Sequence, residues 1–237
     1  MTTDAAATAP PSQTLSRGIR ILEILADARG PLTIDEIARR LSVHRSVAYR
    51  LLRTLEDHGL AVRDGGGRIQ LGARMAALAA GVAHDLQAEA LPELTAVANE
   101  LGLTCFLVVL DHEECVTLVS VEPRHAVASV AQRPGTRHPV TVGAPGKAIL
   151  SALPASSWPR DISPALRSDV TDAAAYGFAT SHDEVIPSLR SVSVPLVVHG
   201  RPPAAIAVVY VASAHEPGEI AARLRRSADV IRDALGG

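Results

Sequence analysis

A chain of 237 residues is long for one small domain and comfortable for two. Hydrophobic residues make up 47% and charged residues 20%, with a net charge of −2, which is enough apolar side chain for packed cores and too little net charge for a disordered polyelectrolyte. No stretch approaches the roughly 18 apolar residues of a membrane span, and residues 1–14 lack the basic start and apolar core of a secretory signal, so a cytoplasmic protein with no membrane partner is expected. Arginine carries nearly all the positive charge; lysine occurs once, at Lys147. Cys105 and Cys115 sit in apolar stretches without metal-ligand spacing and read as two buried free thiols.

Residues 1–13 are rich in Ala, Pro and Thr without periodicity and read as a disordered tail, with order beginning near Leu15. "SRGIRILEILADARG" places Ile19, Leu22, Leu25 and Ala26 on one helical face, and Gly30-Pro31 stops it. "TIDE" is a capping box: Thr33 accepts from the Glu36 amide while the Glu36 carboxylate reaches back. Ile34, Ile37, Ala38 and Leu41 then form one buried stripe. Only Ser42 and Val43 separate this helix from the next, "HRSVAYRLLRTLED", so the two meet sharply, as in a helix-turn-helix. "LAVRDGGGRIQLG" gives two short strands around a glycine-rich turn, with Val62 on one and Ile69 and Leu71 alternating with Arg68 and Gln70 on the other. Three helices and a hairpin over residues 14–72 spell a winged helix.

Residues 73–88 are alanine-rich, with Leu78, Val82 and Leu86 four apart, a narrow seam suited to a linker helix that also touches a partner chain. From residue 89 the chain reads as a separate domain. Pro92 opens a helix that Gly102 ends. "TCFLVVL", "CVTLVSV" and "AVASVAQ" follow as strands, then a helix over "GKAILSAL" and a polar, Pro-broken region from about 154 to 189. Two strands, "SVSVPLVV" and "AAIAVVYVA", precede a last amphipathic helix with Ile220, Leu224, Ala228, Ile231 and Leu235 on one side. Antiparallel strands with helices at both ends give an α+β, sensor-like domain.

At about 100° per residue, Arg45, Ser46, Tyr49, Arg50, Arg53 and Glu56 project within one arc of roughly 140°, opposite Val47, Ala48, Leu51, Leu52 and Leu55. Taken alone, three arginines on a helix make a solvated face. The tight turn before it changes that reading, because arginine and tyrosine dominate the half that a helix-turn-helix presents to base edges. Residues 14–72 carry ten arginines against seven acids, a net +3, so the remainder of the chain carries −5. A modestly basic module on an acidic body is the footprint of a DNA reader. Arg45 and Arg50 have the reach and fork geometry for a guanine O6/N7 pair. Ser46, Tyr49 and Arg53 suit phosphates or base edges. Arg17, near the start of the first helix, suits the DNA backbone, and Arg63 and Arg68 on the wing suit phosphates or a minor groove, the alternative for these two being plain surface arginines.

Catalysis has no visible machinery. "TVGAPGKA" has Thr141 where a phosphate loop needs its first glycine and Ala148 where magnesium needs a hydroxyl. "HEECV" lacks the second histidine of a zinc protease, no G-x-S-x-G or C-x-x-C occurs, and the nine histidines show no ligand spacing. No cofactor or metal is expected.

In the segments "LSRGIRILEIL", "LTIDEIARRLSVHRSVAYRLLRTLEDHGL", "RDGGGRIQLG", "HPVTVGAPGKAILSALP" and "YGFATSHDEVIPSLRSVSVPL", from about Leu15 onward, the chain resembles the IclR-type bacterial transcriptional regulators. The resemblance implies a winged helix-turn-helix, a linker helix and a GAF-like effector-binding domain. It also implies a homodimer or dimer of dimers on a palindromic double-stranded operator, more in the manner of a repressor. The family's recognition helix opens Pro-Lys-Ser/Thr, where this chain reads His44, Arg45, Ser46. The resemblance places Ala144, Pro145 and Gly146 in the effector pocket, with Ser181, Ser191, Ala207 and Val209 at positions where relatives binding small oxoacids carry Asp, Cys and two Ser. With a charge and two hydroxyls gone, the implied effector is larger or less polar than glyoxylate or pyruvate; the alternative is a pocket that binds nothing. Lys147 reads as a structural residue at a helix start. The competing functions are a metabolite-binding protein or enzyme whose winged helix is an interaction module, and an RNA-binding winged helix.

Overall fold

The computed structural model describes residues 12–125, 130 and 132–236 and divides into two compact units between Val82 and Ala83. In the first unit, helix α1 (Gln13–Ala26) starts two residues ahead of the expected Leu15, with the Ser12 hydroxyl as its cap. The rest of the expected tail, residues 1–11, lies outside the described residues. The buried face of α1 is Gly18, Ile21 and Leu25 rather than the stripe through Ile19 and Ala26. Leu15 and Ile19, one turn apart, are 64% and 48% exposed. The helix carries two overlapping apolar stripes, and packing against α2 and α3 selects the one centred on Ile21.

Helix α2 (Ile34–Leu41) has the capping box in full. The Thr33 amide donates to Glu36 Oε2 at 2.7 Å and the Glu36 amide donates to Thr33 Oγ1 at 3.3 Å; the bonds that the Glu36 carboxylate accepts from the Thr33 amide and, second, the Thr33 hydroxyl lower its pKa. Ser42, at φ 56°, closes α2 in the left-handed conformation and turns the chain into α3 (Arg45–Asp57). Ile34, Ile37, Ala38 and Leu41 pack with Ala48, Leu52 and Leu55 of α3, so the two helices share one core stripe each. Strands β1 (Ala61–Arg63) and β2 (Ile69–Leu71) pair antiparallel, and Leu32 bridges Ile69 on the other side. Ala61 and Ile69 face the core, whereas Val62 between Ala61 and Arg63 points outward. Asp64 makes the turn: its Oδ1 accepts from the amides of Gly66 and Arg68, both at 2.9 Å. Helix α4 (Arg74–Ala79) is short; Leu78 on it and Val82 in the turn after it are exposed.

The expected linker helix over residues 73–88 is interrupted by a turn in which Ala83 adopts φ 46°. In the second unit, α5 (His84–Leu101) runs straight through Pro92, which was expected to start a helix. Leu86, Ala90, Leu94, Val97 and Ala98 form a continuous buried stripe across it. Pro92 and Ala88, whose carbonyl loses its i+4 donor, are both exposed, which lets solvent substitute for the missing bond.

The remaining elements are β3 (Thr104–Asp111), β4 (Glu114–Val121), β5 (Arg137–Pro139), α6 (Gly143–Ser151), α7 (Pro164–Tyr176), β6 (Ala179–His182), β7 (Arg190–Leu196), β8 (Ala204–Tyr210) and α8 (Pro217–Ala234). The expected strand "AVASVAQ" falls mainly outside the described residues. The polar, Pro-broken region, to which no element was assigned from the sequence, holds α7 and β6; Ser163 caps α7, Pro164 opens it and Gly177 ends it. The sheet is antiparallel, in the order β5-β4-β3-β8-β7-β6. Strand alternation divides its side chains between two cores. Cys105, Leu107, Val192, Val194, Ile206 and Val208 pack under α5 and α8; Phe106, Val108, Ala205, Ala207 and Val209 pack under α6 and α7. All seven residues of β8 are buried.

Candidate nucleic-acid interface and effector cleft

Because Ala48, Leu52 and Leu55 fix α3 against the first core, its other face is presented to solvent: Arg45, Ser46, Tyr49, Arg50 and Arg53 are all exposed, Tyr49 by 47%. His44 caps the helix in place of a hydroxyl or carboxylate residue. Its Nδ1 accepts from the Ser46 amide at 3.3 Å and lies 2.9 Å from Ser46 Oγ, which puts the ring proton on Nε2. Arg50 and Arg53 have no ion pair among the described residues, so their guanidinium groups are available to an external anion.

The other expected contacts are engaged. Arg45 Nη1 sits 2.6 Å from Asp35 Oδ2. Arg63 Nε lies 3.0 Å from Glu56 Oε1 across a half-buried contact, so the carboxylate at the far end of α3 is neutralised from the wing. Arg68 donates from Nη1 to the Pro31 carbonyl at 3.1 Å, tying the wing to the approach of α2. Arg17 is exposed on α1, without an ion pair among the described residues.

In the second unit, α6 begins at Gly143, held at φ 85°, directly after β5. Of the expected effector residues, Pro145, Ser181, Ser191 and Val209 line one cleft together. Ala144 and Ala207 are wholly buried in the core behind it, and Gly146 packs on the Val140 backbone, where an added Cβ would lie 2.0 Å from the carbonyl oxygen. These three shape the cleft without lining it. Sequence reasoning missed Phe106, Gln132, His138, Arg190 and the 185–189 loop, which complete the wall. Val185, Ile186 and Leu189 supply apolar surface, and Arg190 is a cation with no ion pair among the described residues. His138 donates from Nδ1 to the Pro139 carbonyl at 3.1 Å, leaving Nε2 as an acceptor. The cleft's free volume of about 40 Å³ suits a water molecule or so, not an organic effector.

Beside it, the only lysine is buried at the junction of α6, α7 and β6. Lys147 Nζ lies 2.6 Å from Glu184 Oε1 and 2.7 Å from Asp169 Oδ2, and Glu184 Oε2 accepts from the Gly143 amide at 2.9 Å. Burial opposes the charge on Lys147, but the hydrogen bonds and charges of Asp169 and Glu184 outweigh it and raise the pKa above its ordinary 10.5. This agrees with a structural role. Neither thiol is poised as a nucleophile: burial raises Cys105 strongly and Cys115 to about 12. Among the described residues no cluster of His, Cys, Asp or Glu could hold a metal ion, and no helix is long and apolar enough to cross a membrane.

Residues 14–65 match the IclR helix-turn-helix domain and residues 79–232 match the C-terminal domain of the bacterial transcriptional regulator IclR. The chain belongs to the IclR family. It is 33% identical over 168 residues to the HTH-type transcriptional regulator Rv1719 of Mycobacterium tuberculosis, covering 69% of this chain and 64% of that protein. It is 29% identical over 157 residues to the transcriptional repressor IclR of Escherichia coli, covering 63% of this chain and 57% of that one. The chain thus spans less than two thirds of these curated relatives. Over nearly its whole length its fold matches an IclR homologue of Microbacterium hydrocarbonoxydans solved with 4-hydroxybenzoate, with TM-score 0.79, 27% identity and coverage of 94% of this chain and 99% of the other.

Proposed function

We propose that this IclR-family chain is a cytoplasmic, sequence-specific DNA-binding repressor whose operator affinity is set by a small amphipathic acid. The observation that carries the first half is the outer face of α3, where Arg45, Ser46, Tyr49, Arg50 and Arg53 form an exposed, cationic edge on a helix anchored by its opposite side. Arg45 and Arg50 read guanine in the major groove, Ser46, Tyr49 and Arg53 contact base edges or phosphates, and His44 fixes the helix start. Arg17, Arg63 and Arg68 hold the DNA backbone. The exposed apolar residues Leu15, Ile19 and Leu78 supply surface for a homodimer, which would read an inverted repeat.

For the effector, the combination of apolar Phe106, Val185, Ile186 and Leu189 with Arg190, His138 and the Ser181 and Ser191 hydroxyls suits an aromatic or branched monocarboxylate. Such a molecule is larger and less polar than a small oxoacid, and the relative solved with 4-hydroxybenzoate is of that class. Entry requires the 183–189 loop to move, which couples occupancy to a change of shape.

Selection from a library of randomised duplexes tests the proposal. The protein should enrich an inverted repeat with half-sites about 10 base pairs apart, or a multiple of that. Absence of any enriched sequence would sink the DNA-reading role.

A further inference from the structure

Arg45 is the first residue of α3, and it does not stand free. Its Nη1 lies 2.8 Å from Oδ1 and 2.6 Å from Oδ2 of Asp35, in the first turn of α2. The two side chains are 62% and 65% exposed, and a pair so exposed adds little to stability. Its effect is geometric and local. An arginine at a helix N-terminus faces the positive end of the macrodipole and has many rotamers; a carboxylate beside it offsets the first and restricts the second.

Both contacts use one terminal nitrogen, so Nε and Nη2 of Arg45 have no partner among the described residues. Those two N–H groups form a parallel donor pair that matches O6 and N7 of guanine. Asp35 itself repels phosphate, and so opposes the alternative in which Arg45 swings to the DNA backbone.

We propose that Asp35 is a positioning residue for sequence readout. It holds Arg45 with its Nε–Nη2 edge toward a guanine, and so raises discrimination between sequences rather than affinity for DNA in general. The inference rests on α3 being the recognition helix.

The test uses the full-length protein and its Asp35→Asn, Arg45→Ala and Arg50→Ala variants, each run through selection on the same randomised duplex library. Competition binding of the wild-type-selected duplex against a shuffled one follows. Asp35→Asn should lose the guanine preference at the same half-site position as Arg45→Ala, keep the position lost by Arg50→Ala, and lower the selected-to-shuffled affinity ratio about 3- to 10-fold. Binding of the shuffled duplex should be unchanged or tighter, and Asp35→Glu should restore part of the preference. A retained guanine preference in Asp35→Asn, or tighter binding of the selected duplex at an undiminished ratio, overturns the inference; the latter would make Asp35 a competitor of DNA. If Arg45→Ala itself keeps the full preference, both the inference and the assignment of the helix start to base readout fall. Matching far-UV circular dichroism shows that each variant is folded.

Discussion

Replacing Lys147 by methionine removes the one buried cation at the junction of α6, α7 and β6. The side chain is 7% exposed, and its ammonium is shared by Glu184 at 2.6 Å and Asp169 at 2.7 Å. Breaking a fully buried pair costs about 3 to 5 kcal/mol, because the remaining charge is left uncompensated. Here the carboxylates are partly exposed, Asp169 by about half, and water screens what the lysine leaves behind. Glu184 also keeps its bond from the Gly143 amide. A loss of about 2 to 3 kcal/mol in the second unit is therefore predicted, equivalent to a midpoint lowered by roughly 4 to 12 °C for a unit of this size.

Trp158 is the only tryptophan and lies in that unit, its indole donating to the Leu150 carbonyl at the end of α6 at 2.9 Å. Its fluorescence during urea or thermal unfolding follows this unit alone. The pH dependence carries a second signature. With its folded pKa raised above 10.5, Lys147 contributes its full stability below its unfolded value and loses it as pH rises through the folded value. Wild type should lose stability in that alkaline window and Lys147→Met should lack this component. A variant within about 0.5 kcal/mol of wild type at neutral pH, with the same alkaline profile, would refute the reasoning.

Gly146→Ala places a Cβ 2.0 Å from the Val140 carbonyl oxygen and should destabilise the same unit by about 3 kcal/mol, read by the same fluorescence. Arg190→Gln should abolish the thermal stabilisation that a benzoate-type acid gives the wild-type protein, while leaving the unliganded midpoint unchanged; an undiminished shift would remove Arg190 from the cleft's chemistry. Arg50→Ala should cost about 1 to 3 kcal/mol on a selected duplex and relax specificity at one position. Arg63→Ala should weaken all duplexes alike and flatten the salt dependence by about one unit of slope.

What the sequence makes legible is local. The "TIDE" box is complete within four residues and needs no tertiary partner, and the outward arc of α3 follows from helical period alone. The face of α1 was misjudged because Leu15, Ile19 and Leu22 overlap a second stripe through Ile21, and only packing decides between them. Pro92 looked like a helix start because its cost depends on whether water reaches the freed Ala88 carbonyl, which is a tertiary property. The start of α7 was readable in Ser163-Pro164, yet its narrow stripe of Leu166, Val170 and Ala173 hid within a polar stretch. The cleft was half visible. Pro145, Ser181, Ser191 and Val209 came from the family pattern, whereas Phe106, His138 and Arg190 come from three strands that only the sheet order brings together.

The central claim is that the first half of α3 reads base sequence. Its most direct test is fluorescence anisotropy of the Arg45→Ala/Tyr49→Ala/Arg50→Ala variant on the duplex selected by wild type and on a shuffled duplex. The selected-to-shuffled affinity ratio should collapse to near one, with far-UV circular dichroism matching wild type. A folded variant that keeps the wild-type ratio would contradict the claim.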